Sequence, residues 1–189
     1  MPPGAGIATL TPACSDHELA SARGGDVTAF ARLVRSHQNL VFSVALRMLG
    51  DRDSAQDMAQ EVFIRLHQSM PAIESPEHLR AWLRRSVTHR SIDFLRRHPR
   101  RETSPAPLSA EHQAADTPDH LMQERLRNSL LALNSAARAV MVLRYQEDLD
   151  PHEIATTLEM PVNTVKSHLK RSLQTLREQL SPDESREET

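Results

Sequence analysis

An all-α fold, arranged as two small helical domains joined by a flexible linker, is what this sequence predicts, and three observations carry it. The 189-residue chain holds only six aromatic residues and five glycines, whereas a β-rich fold calls for more of both. Apolar side chains recur at three-to-four spacing through most of its length. One stretch, residues 100–118, drops that pattern and fills with Pro, Ser, Thr, Ala and acids. The composition, 39% hydrophobic and 25% charged, is that of an ordinary water-soluble protein. No apolar run approaches membrane-spanning length, so no membrane insertion is expected. The Met1–Cys14 segment lacks the basic start and apolar core of a secretory signal. A single cysteine, Cys14, leaves no internal disulfide and fits a reducing cytoplasm, the expected localisation.

Taken in order, the first helix called for by periodicity carries Phe30, Leu33, Val34, Val41, Val44 and Met48, with His37 in its middle turn and Gly50 as its stop. Asp53 is a fitting cap for a second, with Met58, Val62, Phe63 and Leu66 on one side. A loop from Ser69 to Ser75 follows. Ser75-Pro76 then restarts a helix in the favoured cap-then-proline order. That helix runs to Arg97, with Leu79, Leu83, Val87, Phe94 and Leu95 inward, and stops at His98-Pro99 because proline disfavours helix in the residue before it. The proline-rich stretch after it spans about 25 Å if flexible, and a structureless loop of that length is uncommon inside a compact domain. Beyond it, Leu126, Leu130 and Leu133 mark one helix, and Ala137, Val140, Met141 and Arg144 another. Asp150-Pro151-His152-Glu153 is a capping box with proline at the first helical position. It opens a short helix with Ile154, Ala155 and Leu158 inward. After the break at Glu159-Met160-Pro161, a last helix turns Val165, Leu169, Leu173, Leu176 and Leu180 inward. Two helices joined so tightly make a helix-turn-helix.

The net charge of −2 conceals a strong segregation. Between Pro76 and Arg101 stand eight arginines against Glu77 and Asp93, and between Pro161 and Arg177 four bases and no acid. The balancing acids lie in Asp51–Val62, in Glu111–Met160 and in the tail Ser181–Thr189. Two cationic helices in an acidic chain suit a two-site polyanion binder. The outward face of the last helix bears Asn163, Thr164, Lys166, Ser167, Lys170 and Arg171. Short polar groups at its start suit base edges, and the cations after them suit phosphates.

The joint arrangement resembles a known family. Asp53, Gln56-Asp57 and Gln60-Glu61-Val62-Phe63, then Trp82-Leu83-Arg84-Arg85 and Asp93-Phe94-Leu95-Arg96-Arg97, look like region 2 of an extracytoplasmic-function sigma factor. Glu153-Ile154-Ala155 with Asn163 to Arg171 is similar to region 4 of the same family. The resemblance implies an alternative sigma factor that binds core RNA polymerase, through its clamp helices and flap, and directs it to promoters. It implies an N-terminal tail at 1–17, region 2 at 18–99, a linker at 100–118, region 4 at 119–180 and an acidic tail at 181–189. Asp53, Asp57, Gln60, Glu61 and Phe63 would meet the polymerase; the three acids recur one turn apart, as a basic partner face requires. Arg80, Arg84, Arg85, His89, Arg90, Asp93, Arg96 and Arg97 would meet the −10 element, the arginines neutralising phosphates. The loop Ser69–Ser75 would hold a base flipped from the stack. The six residues of the last helix would read the −35 element. An anti-sigma factor is the implied regulator, and the acidic segments are expected to weaken promoter binding by the free protein.

Three departures from the family pattern stand out. His89 occupies a place commonly held by Asn, Glu159 a turn position commonly held by Gly, and Asn134 the place of a proline. Only Trp82 and Phe94 are aromatic in the −10 helix, so strand separation is expected to demand a strict consensus. Enzymatic readings fare poorly. His152-Glu153 begins a zincin motif, but Thr156 stands where its second ligand belongs. His78 and His89 would lie about 16 Å apart along one helix, too far for a shared ion. No cofactor and no metal are expected. A stand-alone helix-turn-helix regulator leaves the acidic and arginine-rich helices unexplained. A sigma-like decoy for an anti-sigma factor would have lost its −10 arginines.

Overall fold

The computed structural model describes residues 15–98 and 118–180, which form eight α-helices and one 3-10 turn, with no strand among the described residues. They are α1 (Asp16–Arg23), α2 (Val27–Leu49), α3 (Arg52–Ser69), the turn Met70–Ala72, α4 (Pro76–Arg97), α5 (Pro118–Leu131), α6 (Ser135–Tyr145), α7 (Pro151–Leu158) and α8 (Val162–Leu180). The expected linker and both tails lie outside the described residues, save Pro118, the first residue of α5, and Ser15, Asp16 and His17 of the expected 1–17 tail, which cap and begin α1.

Side-chain caps set most of the helix starts. Asp26 accepts from the Thr28 and Ala29 N–H groups, Ser75 from His78 and Asn134 from Ala137. Asn134 thus supplies as a cap what a proline would have supplied by fixing φ. The cap of α3 is Asp51, which accepts from the Ser54 N–H at 2.8 Å; Asp53, expected in that role, lies in the first turn beside the positive helix end. The Asp150 capping box forms in full, its Glu153 carboxylate accepting from the Asp150 N–H at 2.7 Å. Helix α4 begins after Ser75 and ends at Arg97, the bounds its Ser-Pro and His-Pro flanks specify. The loop after α3 is anchored by Met70 and Ile73, both buried.

Helices α2, α3 and α4 form a three-helix bundle around Leu33, Val41, Val44, Met58, Val62, Leu79, Leu83 and Val87. Helix α1, which periodicity did not flag, closes the side of α2 with Leu19 and Ala22, and Glu18 pairs with Arg32 at 2.7 Å. In the second half, α7 and α8 pack on α6 through Ile154, Leu158 and Val165. Of the three leucines that mark α5, Leu126 and Leu130 lie in it, Leu126 being 44% exposed, and Leu133 lies just past its end. Phe94 is only half-buried, packed against the core and against His98.

The two halves are packed together. Ala139, Val140, Val142 and Leu143 of α6 belong to the same apolar cluster as the cores of α2 and α4. On the opposite side of α6, Ala137 and Met141 meet Leu133 and Leu176. Every residue from Ala137 to Leu143 is therefore buried, the all-round burial of a central helix. The C-terminal end of α2 lies at this seam. Gly50 takes φ 82°, and a Cβ there would stand 2.8 Å from the Leu131 side chain, so both backbone and packing require glycine. The Arg138 guanidinium, fully buried, donates to the carbonyls of Met48, Leu131 and Leu133, and Arg127 donates to that of Gly50.

Candidate nucleic-acid and polymerase interfaces

The five residues expected to meet polymerase divide between two concavities on α3. Asp53, Asp57 and Glu61 line a cleft of about 400 Å³ with Asp51, Met58, Phe94 and His98. Asp53 and Asp57 are exposed, while Glu61 pairs with Arg90 of α4 and stands 4.0 Å from Arg65. Gln60 and Phe63 lie further round the helix, in an apolar groove of about 500 Å³ with Phe30, Val34, Ile64 and His67. Ile64, 61% exposed, was missed by the sequence reading. The signal was present, since an isoleucine off the inward period of a helix needs another partner. The Phe30 and His67 rings meet edge to face at 5.0 Å, which fixes one wall of that groove.

Helix α4 presents its charged residues in two groups. Arg80, Arg96 and Arg97 are exposed, and Asp93 stands 3.9 Å from Arg96. The other group is engaged. Arg84 donates to Glu147 at 2.8 Å, in a pair whose side chains are 18% and 8% exposed. Arg85 pairs with Glu159, and Arg90 with Glu61. His89 places Nε2 2.8 Å from the Thr157 carbonyl oxygen. Partial burial and the nearby Arg97 charge lower the Arg90 pKa, although a guanidinium stays cationic at any ordinary pH.

The helix-turn-helix is built as the sequence required. Glu159 ends α7 with φ 53° and ψ 43°, the left-handed conformation that a glycine would adopt freely. Val165 is fully buried, and with Leu169 and Leu176 it fastens α8 to the rest of the core. Asn163, Thr164, Lys166, Ser167, Lys170 and Arg171 are all exposed on the opposite face. Hence α8 presents its polar and cationic row to solvent, whereas a central part of the α4 row is covered by α7 and the α6–α7 turn. Among the described residues no group of His, Cys, Asp and Glu could hold a metal ion.

Comparison with known proteins gives concordant results. Residues 33–101 match the Sigma-70 region 2 family and residues 123–176 the Sigma-70, region 4 family. The chain is 30% identical to the ECF RNA polymerase sigma factor SigW of Bacillus subtilis, over 82% of this chain and 91% of that one. It is 31% identical to the RNA polymerase sigma-E factor of Streptomyces coelicolor, over 82% and 88%. Its fold is similar to that of CnrH in complex with the cytosolic domain of CnrY, with a TM-score of 0.65, 23% identity, and coverage of 90% and 99%. It is also similar to the sigma factor RpoE of Bartonella quintana, in complex with the anti-sigma factor NepR, with a TM-score of 0.64, 19% identity, and coverage of 83% and 99%. With two cationic helices, a helix-turn-helix and an acidic stripe on one helical scaffold, the chain belongs to the extracytoplasmic-function sigma factors of RNA polymerase.

Proposed function

We propose that the chain acts as an alternative sigma factor through three separate surfaces, in the roles its region 2 and region 4 residues suggest. The observation that carries the reading is the row on α8: six exposed polar and cationic side chains on a helix whose other face is fastened to the core. A second helix of a helix-turn-helix so presented fits the major groove, with Asn163 and Thr164 at base edges and Lys166, Lys170 and Arg171 at phosphates. The arginines of α4 serve the −10 element, together with His89, Asp93 and the loop at 69–75. Asp53, Asp57, Gln60, Glu61 and Phe63 serve the polymerase, the acids through charge and Phe63 through its groove. A basic polymerase surface would compete with Arg90 for Glu61, so docking would release an arginine for DNA.

The division into region 2 at 18–99 and region 4 at 119–180, joined by a linker, is part of this proposal. No helix among the described residues is long and apolar enough to cross a membrane, in keeping with cytoplasmic work beside the nucleoid. The chain supplies recognition and leaves catalysis to the polymerase. Regulation by an anti-sigma protein is proposed because RpoE, a neighbour in fold, is found bound to one. In vitro transcription with core polymerase on a library of genomic promoter fragments tests the whole reading. Start sites sharing a −35 and a strict −10 sequence are expected. Transcripts indistinguishable from those of core enzyme alone would reject it.

A further inference from the structure

Two side-chain hydroxyls of α4, those of Thr88 and Ser91, are fully buried and have no hydrogen-bond partner among the described residues. A buried hydroxyl left in that state costs stability, and a helical Thr ordinarily avoids the cost by donating to a carbonyl one turn back. The two differ in where they stand on the helix. Ser91 continues the inward line, one turn from Val87 and one turn from Leu95, both in the core. Thr88 leaves that line. It follows Arg84 and Arg85 by one turn and adjoins His89, and these three residues bond to the second half. Its spacing therefore puts it on the face of α4 that α6 and α7 cover. We propose that Thr88 is a specificity-determining residue whose hydroxyl hydrogen-bonds a base edge of the −10 strand.

Packing alone does not call for a threonine here. Valine has nearly the same shape and would fill the site without an unpaired oxygen, so the hydroxyl is a cost to the free chain that a partner outside it would offset. The neighbours of Thr88 narrow the kind of partner. Arg84 and Arg85 suit phosphates through their charge, whereas a short neutral hydroxyl adds none. One O–H that both donates and accepts gains most against a base edge. At 0% exposed, Thr88 meets DNA only where α6 and α7 have left α4, so it contributes nothing to recognition by the free chain.

Thr88 can read a base only if α4 is the −10 helix of the proposed function, and the controls keep the two ideas apart. Full-length Thr88→Val, Thr88→Ser, Ser91→Ala and Arg96→Ala/Arg97→Ala proteins are compared with wild type in thermal melts. Each is also assayed for transcription with core polymerase from promoters carrying a randomised −10 element. Thr88→Val is expected to melt about 2–4 °C above wild type, because the orphaned oxygen is gone. It is nevertheless expected to lose about tenfold in transcription from the preferred −10 sequence, with the preference relaxed at one base position. Thr88→Ser should keep that preference, and Ser91→Ala should keep both preference and transcription. An unchanged base preference in Thr88→Val, beside an impaired Arg96→Ala/Arg97→Ala protein, would overturn the inference. So would an equal loss on every −10 sequence, which a tighter seam alone would produce. An Arg96→Ala/Arg97→Ala protein that transcribes like wild type would reject α4 as the −10 helix, and Thr88 with it. Should Thr88→Val misfold by circular dichroism, Thr88→Ala removes the same hydroxyl and its base preference decides.

Discussion

Replacing Arg138 with Met measures how strongly the seam between the halves depends on one buried cation. The guanidinium is 0% exposed and donates across the seam to the Met48 carbonyl at the end of α2, and within the second half to the carbonyls of Leu131 and Leu133. A hydrogen bond from a charged donor contributes about 1.5–3 kcal/mol, and the carbonyls left behind remain buried without that donor. Three such bonds at the lower end come to about 5 kcal/mol. Against this, a buried Met side chain recovers about 2 kcal/mol of apolar transfer, in a site of nearly the right volume. The net expectation is a loss of about 3 kcal/mol, or ~6–12 °C in melting temperature for a chain of this size. Arg138→Lys should fall between the two, since one ammonium cannot span three carbonyls set around a planar fork. Thermal melts followed by circular dichroism at neutral pH supply the measurement. A Met variant melting within about 2 °C of wild type, or above it, would show that the cost of burying the charge cancels its bonds. The bonding account of the seam would then be wrong.

Other outcomes are expected from the same structure. His37 is buried, and desolvation, the largest influence, pushes its pKa below the ordinary 6.5; the Leu33 carbonyl opposes this and Arg80 adds to it. The folded state thus binds its proton less readily than the unfolded state, so stability is full above about pH 6.5 and declines as pH falls below it. Melting temperature should drop between pH 7 and pH 5, and His37→Gln should flatten that slope; an unchanged slope would exonerate His37. Asn163→Ala should cost about 1–3 kcal/mol on a −35 duplex and relax selectivity at one base pair, while Lys170→Ala should weaken all duplexes alike and reduce the salt slope by about 1. Titration of labelled duplexes at several salt concentrations separates the two, and identical behaviour would count against the assigned roles. Asp57→Arg reverses an exposed charge in the acidic cleft. It should weaken core-polymerase binding at least tenfold while shifting stability by less than about 0.5 kcal/mol, as read by surface plasmon resonance and thermal melts.

What could be read from the sequence divides along the range of the forces involved. Helix α4, the Asp150 capping box and the left-handed Glu159 depend on residues within a few positions of one another, and each lies where its neighbours specify. The α3 cap was misplaced by two residues because two aspartates share that turn and only backbone geometry chooses between them. Helix α1 is short and is held by Leu19, Ala22 and the Glu18–Arg32 pair, all of which need α2 in place. The largest omission was the second buried face of α6. Periodicity picked out Ala137, Val140 and Met141, but Ala139, Val142 and Leu143 are buried as well, by the bundle from the other half. The Arg84–Glu147 and His89–Thr157 bonds join residues more than sixty positions apart, across a stretch with no pattern of its own. For the site, the exposed row on α8 was legible because one helix determines its own outward face. The occupied arginines of α4 were not, because occupancy depends on what packs against them.

The shared use of α6 bears on how long an active molecule can persist. If the halves part, the face bearing Ala139, Val140, Val142 and Leu143 is stripped of half its cover while the helix keeps its other neighbours. An opened molecule is therefore still folded yet adhesive, prone to self-association and to capture by chaperones or proteases. Engagement with polymerase would then act as protection as well as recruitment. Molecules that open and find no enzyme would be lost first, so the supply of active factor would follow the supply of free polymerase.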